Sequence, residues 1–225
     1  MNKIIIISIT FLSLLSMVYL VSAGIELEYD TVNVKLMEGW NLVNFVAEYD
    51  RGVFERLGAR AAYSFDPYKQ EYIQLYPNYE GGKYQDYLEY VIPEKGASIE
   101  SHASLLHSSI WVYMDEEKDF ENNPVKNIIS DGNEINSIKL TKGWNFLSIN
   151  SEMIGKPLGN IEGNCNIEKI FHWEPRSQSF VNAQEEFNQL TRYEENIGYG
   201  FIVKVSSDCN LETQEATTSP PTIPN

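Results

Sequence analysis

Three blocks of this chain occur twice in the same order, and that duplication restricts the fold more than any other feature. Lys35-Leu36-Met37-Glu38-Gly39-Trp40-Asn41-Leu42-Val43 returns as Lys139-Leu140-Thr141-Lys142-Gly143-Trp144-Asn145-Phe146-Leu147. Tyr63-Ser64-Phe65-Asp66-Pro67 returns as Phe171-His172-Trp173-Glu174-Pro175, and each copy has an apolar residue six positions after its proline, Ile73 and Val181. Trp111-Val112-Tyr113-Met114 returns as Phe201-Ile202-Val203-Lys204. Two related units follow, each within the usual range of domain size.

The blocks read as strands. Val32, Val34 and Leu36 alternate with Thr31, Asn33 and Lys35, the period of a half-buried strand, and Ile138 and Leu140 repeat the pattern. Gly39 and Gly143 sit where the chain must turn or bulge, which a residue without Cβ does at low cost. Trp-Asn-Leu-Val and Trp-Asn-Phe-Leu then place side chains on both faces, as in a strand covered on two sides. Asp66-Pro67 and Glu174-Pro175 interrupt the next hairpin. One helix per unit is expected: Asp50 can cap a segment with Val53, Phe54 and Leu57 on one face and Gly58 near its end. Its counterpart around Ser151–Ile161 carries Gly155, Pro157 and Gly159 and should be short or irregular.

The pattern resembles the GWNL-type (Gly-Trp-Asn-Leu) repeat of secreted and cell-surface proteins of archaea and bacteria. The second unit matches through Leu140, Gly143, Trp144, Asn145, Trp173, Phe187, Leu190 and Gly198-Tyr199-Gly200-Phe201-Ile202. The first matches through Leu36, Gly39, Trp40, Asn41, Phe65-Asp66-Pro67 and Trp111-Val112, and lacks the Gly-Tyr pair. The resemblance implies a β-rich α+β fold of two tandem small antiparallel β domains, each with about one short helix. It implies no catalytic residues, because such repeats are accessory modules of surface, adhesion and scaffold proteins.

The resulting division is a signal peptide over 1–23, a first β domain over 24–134, a second over 135–211, and a Thr/Pro-rich tail over 212–225. Lys3 followed by the apolar run Ile4–Val21 and the small residues Ser22 and Ala23 reads as a secretory leader cleaved before Gly24; an uncleaved anchor is the alternative. No second membrane segment is expected. The tail, Glu212–Asn225, cannot bury a core and reads as a disordered spacer or stalk. No Asn-x-Ser/Thr sequon is present.

Charge removes one class of function. The 32 acidic residues exceed the 17 basic ones, a net charge of −15, and phosphate backbones repel such a surface, so nucleic acid is not an expected partner. Catalytic signatures are absent: there is no Gly-x-Ser-x-Gly, no Gly-x-x-x-x-Gly-Lys-Ser/Thr and no His-Glu-x-x-His. His102 and His107 have the wrong spacing for one helical face, and His172 stands apart, so no metal is expected. Glu116-Glu117, Glu185-Glu186 and Glu194-Glu195 read as solvated surface, and Asp115–Asp119 lacks the spacing of an EF-hand loop. No cofactor is implied.

Binding candidates are aromatic. Trp40 and Trp144 can stack on sugars, yet their place inside a duplicated strand favours core packing, as for Trp111 and Trp173. The first unit carries about 17 extra residues within Tyr76–Ser108, and its tyrosines Tyr76, Tyr79, Tyr84, Tyr87 and Tyr90 are the ligand candidates. Tyr84, Tyr87 and Leu88 also have the spacing of a helix face and can instead form a satellite core. Cys165 and Cys209 flank strands of the second unit, and in an oxidising compartment they are expected to form a structural disulfide. The expectation is a secreted, non-catalytic cell-envelope or adhesion protein whose partners are surface proteins or polysaccharides. The alternative is a carbohydrate-binding module using the Tyr-rich insertion.

Overall fold

The computed structural model describes residues 25–44, 52–91, 99–130 and 133–213. The chain begins with β1 (Ile25–Tyr29), β2 (Val32–Leu36) and β3 (Gly39–Val43); helix α1 (Gly52–Leu57) leads to β4 (Ala59–Asp66) and β5 (Glu71–Tyr76). Helices α2 (Gly81–Val91) and α3 (Ile99–Leu106) precede β6 (Ile110–Met114), β7 (Lys118–Asn122), β8 (Val125–Ser130) and β9 (Asn133–Ile135). Then come β10 (Ser137–Leu140), β11 (Gly143–Ser148), β12 (Ile167–Glu174), β13 (Ser179–Asn182), α4 (Phe187–Leu190), β14 (Gly200–Val205) and β15 (Cys209–Glu212). The architecture is a β-rich α+β fold of small antiparallel sheets. The leader, Asp50 and the tail beyond Thr213 lie outside the described residues. Among those residues, no helix is long and apolar enough to cross a membrane.

The duplication in sequence returns as a duplication in topology. One four-stranded sheet has the order β3-β6-β4-β5 and the other β11-β14-β12-β13, while the flanking strands pair separately as β2-β7 and β10-β15. A three-stranded sheet, β1-β8-β9, joins the N-terminal strand to the connection between the halves. Pairing refines the alignment of the closing blocks. Leu42 faces Trp111, whereas Phe146 faces Ile202, so Trp111 corresponds to Ile202 rather than to Phe201. Register counts residues from the neighbouring strand, which similarity of residue type cannot do.

Alternation along β2 has the expected result, with Val34 and Leu36 buried and Asn33 and Lys35 exposed. In α1, Val53, Phe54 and Leu57 are the buried face, and Gly58 follows with φ +72°. Its counterpart is a pair of short 3-10 turns, Ser151–Met153 and Leu158–Asn160. The first half departs from one helix per unit: the insertion folds into α2 and α3. Helix α2 buries Tyr84, Tyr87 and Val91 beside Ile73 and Leu75, while α3 puts Leu105 into that cluster and turns Ala103 and Leu106 toward the second. Val125 and Ile128 of β8 join the second cluster too, so segments before residue 135 complete the core around β10–β15.

Between these cores lies a third, aromatic layer. Leu42, Phe65, Trp111, Phe146 and Ile202 are buried in it, with Trp40, Tyr63, Trp144, Phe171 and Trp173 packed at its margins. The inner strands are also stitched through their backbones. Val43 bridges Tyr199 and Asn44 N donates to Gly198 O (2.8 Å); equivalently, Leu147 bridges Ser108 and Ser148 N donates to His107 O (2.7 Å). Since β3 pairs with β6 and β11 with β14, hydrogen bonds run in a closed circuit through the four inner strands. Each half supplies what the other supplies in return, the reciprocity of an isologous interface.

Candidate functional site

The Gly-Trp-Asn motif has a separate structural task for each residue. Asn41 is buried and closes the turn between β2 and β3: its Oδ1 accepts from Met37 N (2.8 Å), and its Nδ2 donates to Met37 O (2.8 Å) and Gly39 O (3.1 Å). Asn145 repeats the pattern with Thr141 N (3.0 Å), Thr141 O (2.7 Å) and Gly143 O (3.2 Å). A carboxamide is the short side chain that accepts and donates at once, which satisfies backbone groups that burial would otherwise orphan.

Gly39 and Gly143 have φ of +93° and +102°, and each leaves room for a glutamine from the opposite half. A Cβ on Gly39 would lie 2.5 Å from Gln178 Oε1, and one on Gly143 would lie 2.7 Å from Gln70 Oε1. Trp40 N donates to Gln178 Oε1 (2.7 Å) while Gln178 Nε2 donates to Trp40 O (3.0 Å) and Pro175 O (2.6 Å). Trp144 N donates to Gln70 Oε1 (2.8 Å), and Gln70 Nε2 donates to Trp144 O (3.0 Å) and Pro67 O (2.5 Å). Both glutamines have positive φ, 54° and 50°, a conformation L residues seldom adopt. Sequence reasoning passed over them. The signal was present, since each is the third residue after the hairpin proline in both copies.

The tryptophans therefore sit differently from the core assignment. Trp40 and Trp144 are half-buried at the margins of the layer between the halves. Trp40 packs edge-on to Trp111 (6.2 Å) and Tyr113 (5.1 Å), and its carbonyl accepts from Trp173 Nε1 (2.7 Å). Trp111 is buried and meets Trp173 edge-on at 4.9 Å. Tyr72 and Phe180 are equivalent hairpin residues and both are 48% exposed. Tyr72 rests on Phe65 and Phe146, and Phe180 on Trp111, Phe171 and Trp173. The edges of the layer thus face solvent.

The four insertion tyrosines with described side chains do not form one exposed surface. Tyr84 and Tyr87 are 7% and 4% exposed and belong to the first core, so neither offers a ring face to a ligand. Their helical spacing expresses the satellite-core reading. Tyr76 is half-buried against Phe54 (6.1 Å), and Tyr79, 37% exposed, lies 6.0 Å from Tyr84. Tyr90 is on α2, with its side chain outside the described residues.

Among the described residues, titratable groups form no converging set. His107 is 3% exposed, with Nδ1 3.5 Å from Asn150 Nδ2, and burial holds its pKa at about 4. His172 is half-buried, and desolvation lowers its pKa; the side chain of His102 lies outside the described residues. Glu116-Glu117, Glu185-Glu186 and Glu194-Glu195 are exposed. Among the described residues, no three His, Cys, Asp or Glu side chains gather as a metal site. Cys165 and Cys209 form a disulfide with Cα atoms 5.1 Å apart, tying the approach to β12 to the start of β15. A crevice of about 20 Å³ lined by Phe65, Tyr87, Leu140 and Phe146 has room for roughly one water molecule.

No protein-family model, curated protein or solved structure matches this chain significantly.

Proposed function

We propose that this chain is a secreted, non-catalytic cell-envelope or adhesion protein that binds surface proteins or polymers, beginning at Gly24 after loss of residues 1–23. Residues 24–134 and 135–211 are its two GWNL-type β domains, and the Thr/Pro-rich tail spaces them from their attachment. The observation that carries the reading is the reciprocal clasp of Gln70 and Gln178, which joins the two sheets into one body with aromatic side chains at its solvent edges. A rigid scaffold displaying exposed rings suits recognition of a partner. The Cys165–Cys209 bridge supports an oxidising compartment.

The carbohydrate reading through the insertion would fall to Tyr79 and Tyr76, because Tyr84 and Tyr87 are committed to the core. Fractionation of producing cells, with N-terminal sequencing and cross-linking, tests the main reading. Protein starting at Gly24, outside the cytoplasmic membrane and cross-linked to envelope components, is expected. Cytoplasmic protein with both thiols free would overturn it.

A further inference from the structure

One surface of the first half has a composition its counterpart lacks. On β3 and β6, Trp40 pairs with Tyr113, and on β4 and β6, Ala61 pairs with Tyr113 and Tyr63 with Trp111. Directly opposed residues share a face of the sheet, so Trp40, Tyr113, Ala61 and Tyr63 adjoin at the margin of the buried layer. Trp40 lies 5.1 Å from Tyr113, edge-on, and 6.0 Å from Tyr63, tilted, centroid to centroid, and all four residues are half-buried. Gln74, opposite Tyr63 on β5, adds an amide on the same face.

At the edge, a register shift between Ala59 and Ala61 accompanies Arg60, whose guanidinium lies 5.8 Å from the Tyr113 ring centre and 3.6 Å from Asp115 Oδ1. In the second half the equivalent of Tyr113 is Lys204, opposite Trp144, and the equivalent of Ala61 is Lys169, opposite Lys204. The same backbone therefore carries Tyr113 and Ala61 beside Trp40 and Tyr63 in one half, and Lys204 and Lys169 beside Trp144 and Phe171 in the other.

We propose that Trp40, Tyr63 and Tyr113, with Ala61 between them and the Arg60–Asp115 pair at their edge, form a stacking site for a neutral, pyranose-based glycan. This rests on the surface-binding reading and names its ligand class. The C–H face of a pyranose is apolar and weakly electropositive and packs on the electron-rich face of an aromatic ring, while its hydroxyls need donors and acceptors around the rim. Arg60 supplies donors, Asp115 acceptors and Gln74 both. Charge selects against uronates and phosphates: residues 24–134 carry 21 acidic residues against 9 basic ones, and an anion approaching that half meets like charge. The rings stand on three neighbouring strands, so little ordering is needed on binding.

The test uses the full disulfide-bonded protein in affinity electrophoresis through neutral glucan, mannan and galactan, with a polyuronate as the anionic comparison. Retardation by at least one neutral polymer and none by the polyuronate is expected. Tyr113→Lys and Ala61→Lys install residues that the second half already accommodates at these positions, and each should weaken binding by roughly tenfold or more. Tyr79→Ala, in the insertion, should leave binding unchanged. Retardation equal in wild type and both lysine variants, retardation lost only in Tyr79→Ala, or none by any neutral polymer would overturn the site. A protein displayed outside the membrane that binds no neutral glycan would remove this inference and leave surface display standing.

Discussion

Gln178 holds the backbone of Trp40 at two points, accepting from its N–H at 2.7 Å and donating to its carbonyl at 3.0 Å from across the junction between the halves. Gln70 holds Trp144 in the same way. A side chain thus satisfies the free edge of a strand that no neighbouring strand covers at that point.

Replacing Gln178 by Ala removes these exposed bonds and should cost about 1 kcal/mol, toward the low end of the usual net worth of hydrogen bonds. Gln178→Gly should be milder by several tenths of a kcal/mol, because glycine relieves the positive φ. Urea unfolding of both variants checks the order; equal losses would mean that the backbone strain is negligible.

Gly39→Ala combines a Cβ 2.5 Å from Gln178 Oε1 with a φ of +93° and should cost about 2 kcal/mol or more. In Gly39→Ala with Gln178→Ala the clash is gone while the φ penalty stays. The double variant should therefore be more stable than the sum of the single losses implies, a coupling that a double-mutant cycle measures.

Asn145→Asp should be nearly as damaging as Asn145→Ala, at about 1–3 kcal/mol each. A carboxylate still accepts from Thr141 N, but it cannot donate to Thr141 O and Gly143 O and is repelled by both. Thermal denaturation at neutral pH distinguishes the outcomes, and an aspartate variant as stable as wild type would contradict the capping role.

His107 gives stability a dependence on pH. Its folded pKa of about 4 lies below the ordinary 6.5 because burial disfavours the imidazolium, so between these values the unfolded chain binds the additional proton. Its contribution is complete above pH 6.5 and declines as pH falls toward 4, by about 3 kcal/mol across that window. Denaturant titrations at several pH values should show this slope in wild type and a shallower one in His107→Gln.

Reducing the Cys165–Cys209 bridge frees a loop with a separation of 44 residues. The chain-entropy model gives about 4 kcal/mol for that length. Cys165→Ser with Cys209→Ser should lower the melting temperature of the β10–β15 core ahead of the core holding Tyr84 and Tyr87. Hydrogen exchange resolved by segment reads the difference.

The sequence by itself determined the strands of the duplicated blocks, the turn glycines, the α1 face and the pairing of the two cysteines, because each depends on near neighbours, on periodicity or on having a single available partner. Strands β1, β7, β8 and β9 lie outside those blocks and carried no such signal. Alternation marked β2 and β10, and helical spacing marked Val53, Phe54 and Leu57. Tertiary structure alone decided how the halves meet. Gln70 and Gln178 look like ordinary exposed turn residues until Gly143 and Gly39 are brought beneath them from far along the chain. Trp40 and Trp144 read as core because they lie inside a duplicated strand, but periodicity cannot say whether the surface that covers them belongs to their own half or the other. For the insertion, spacing offered both a core and a ligand surface, and packing against Ile73 and Leu75 placed Tyr84 and Tyr87 inside. Local chemistry sets which residues share a face, and only the assembled sheets settle what that face touches.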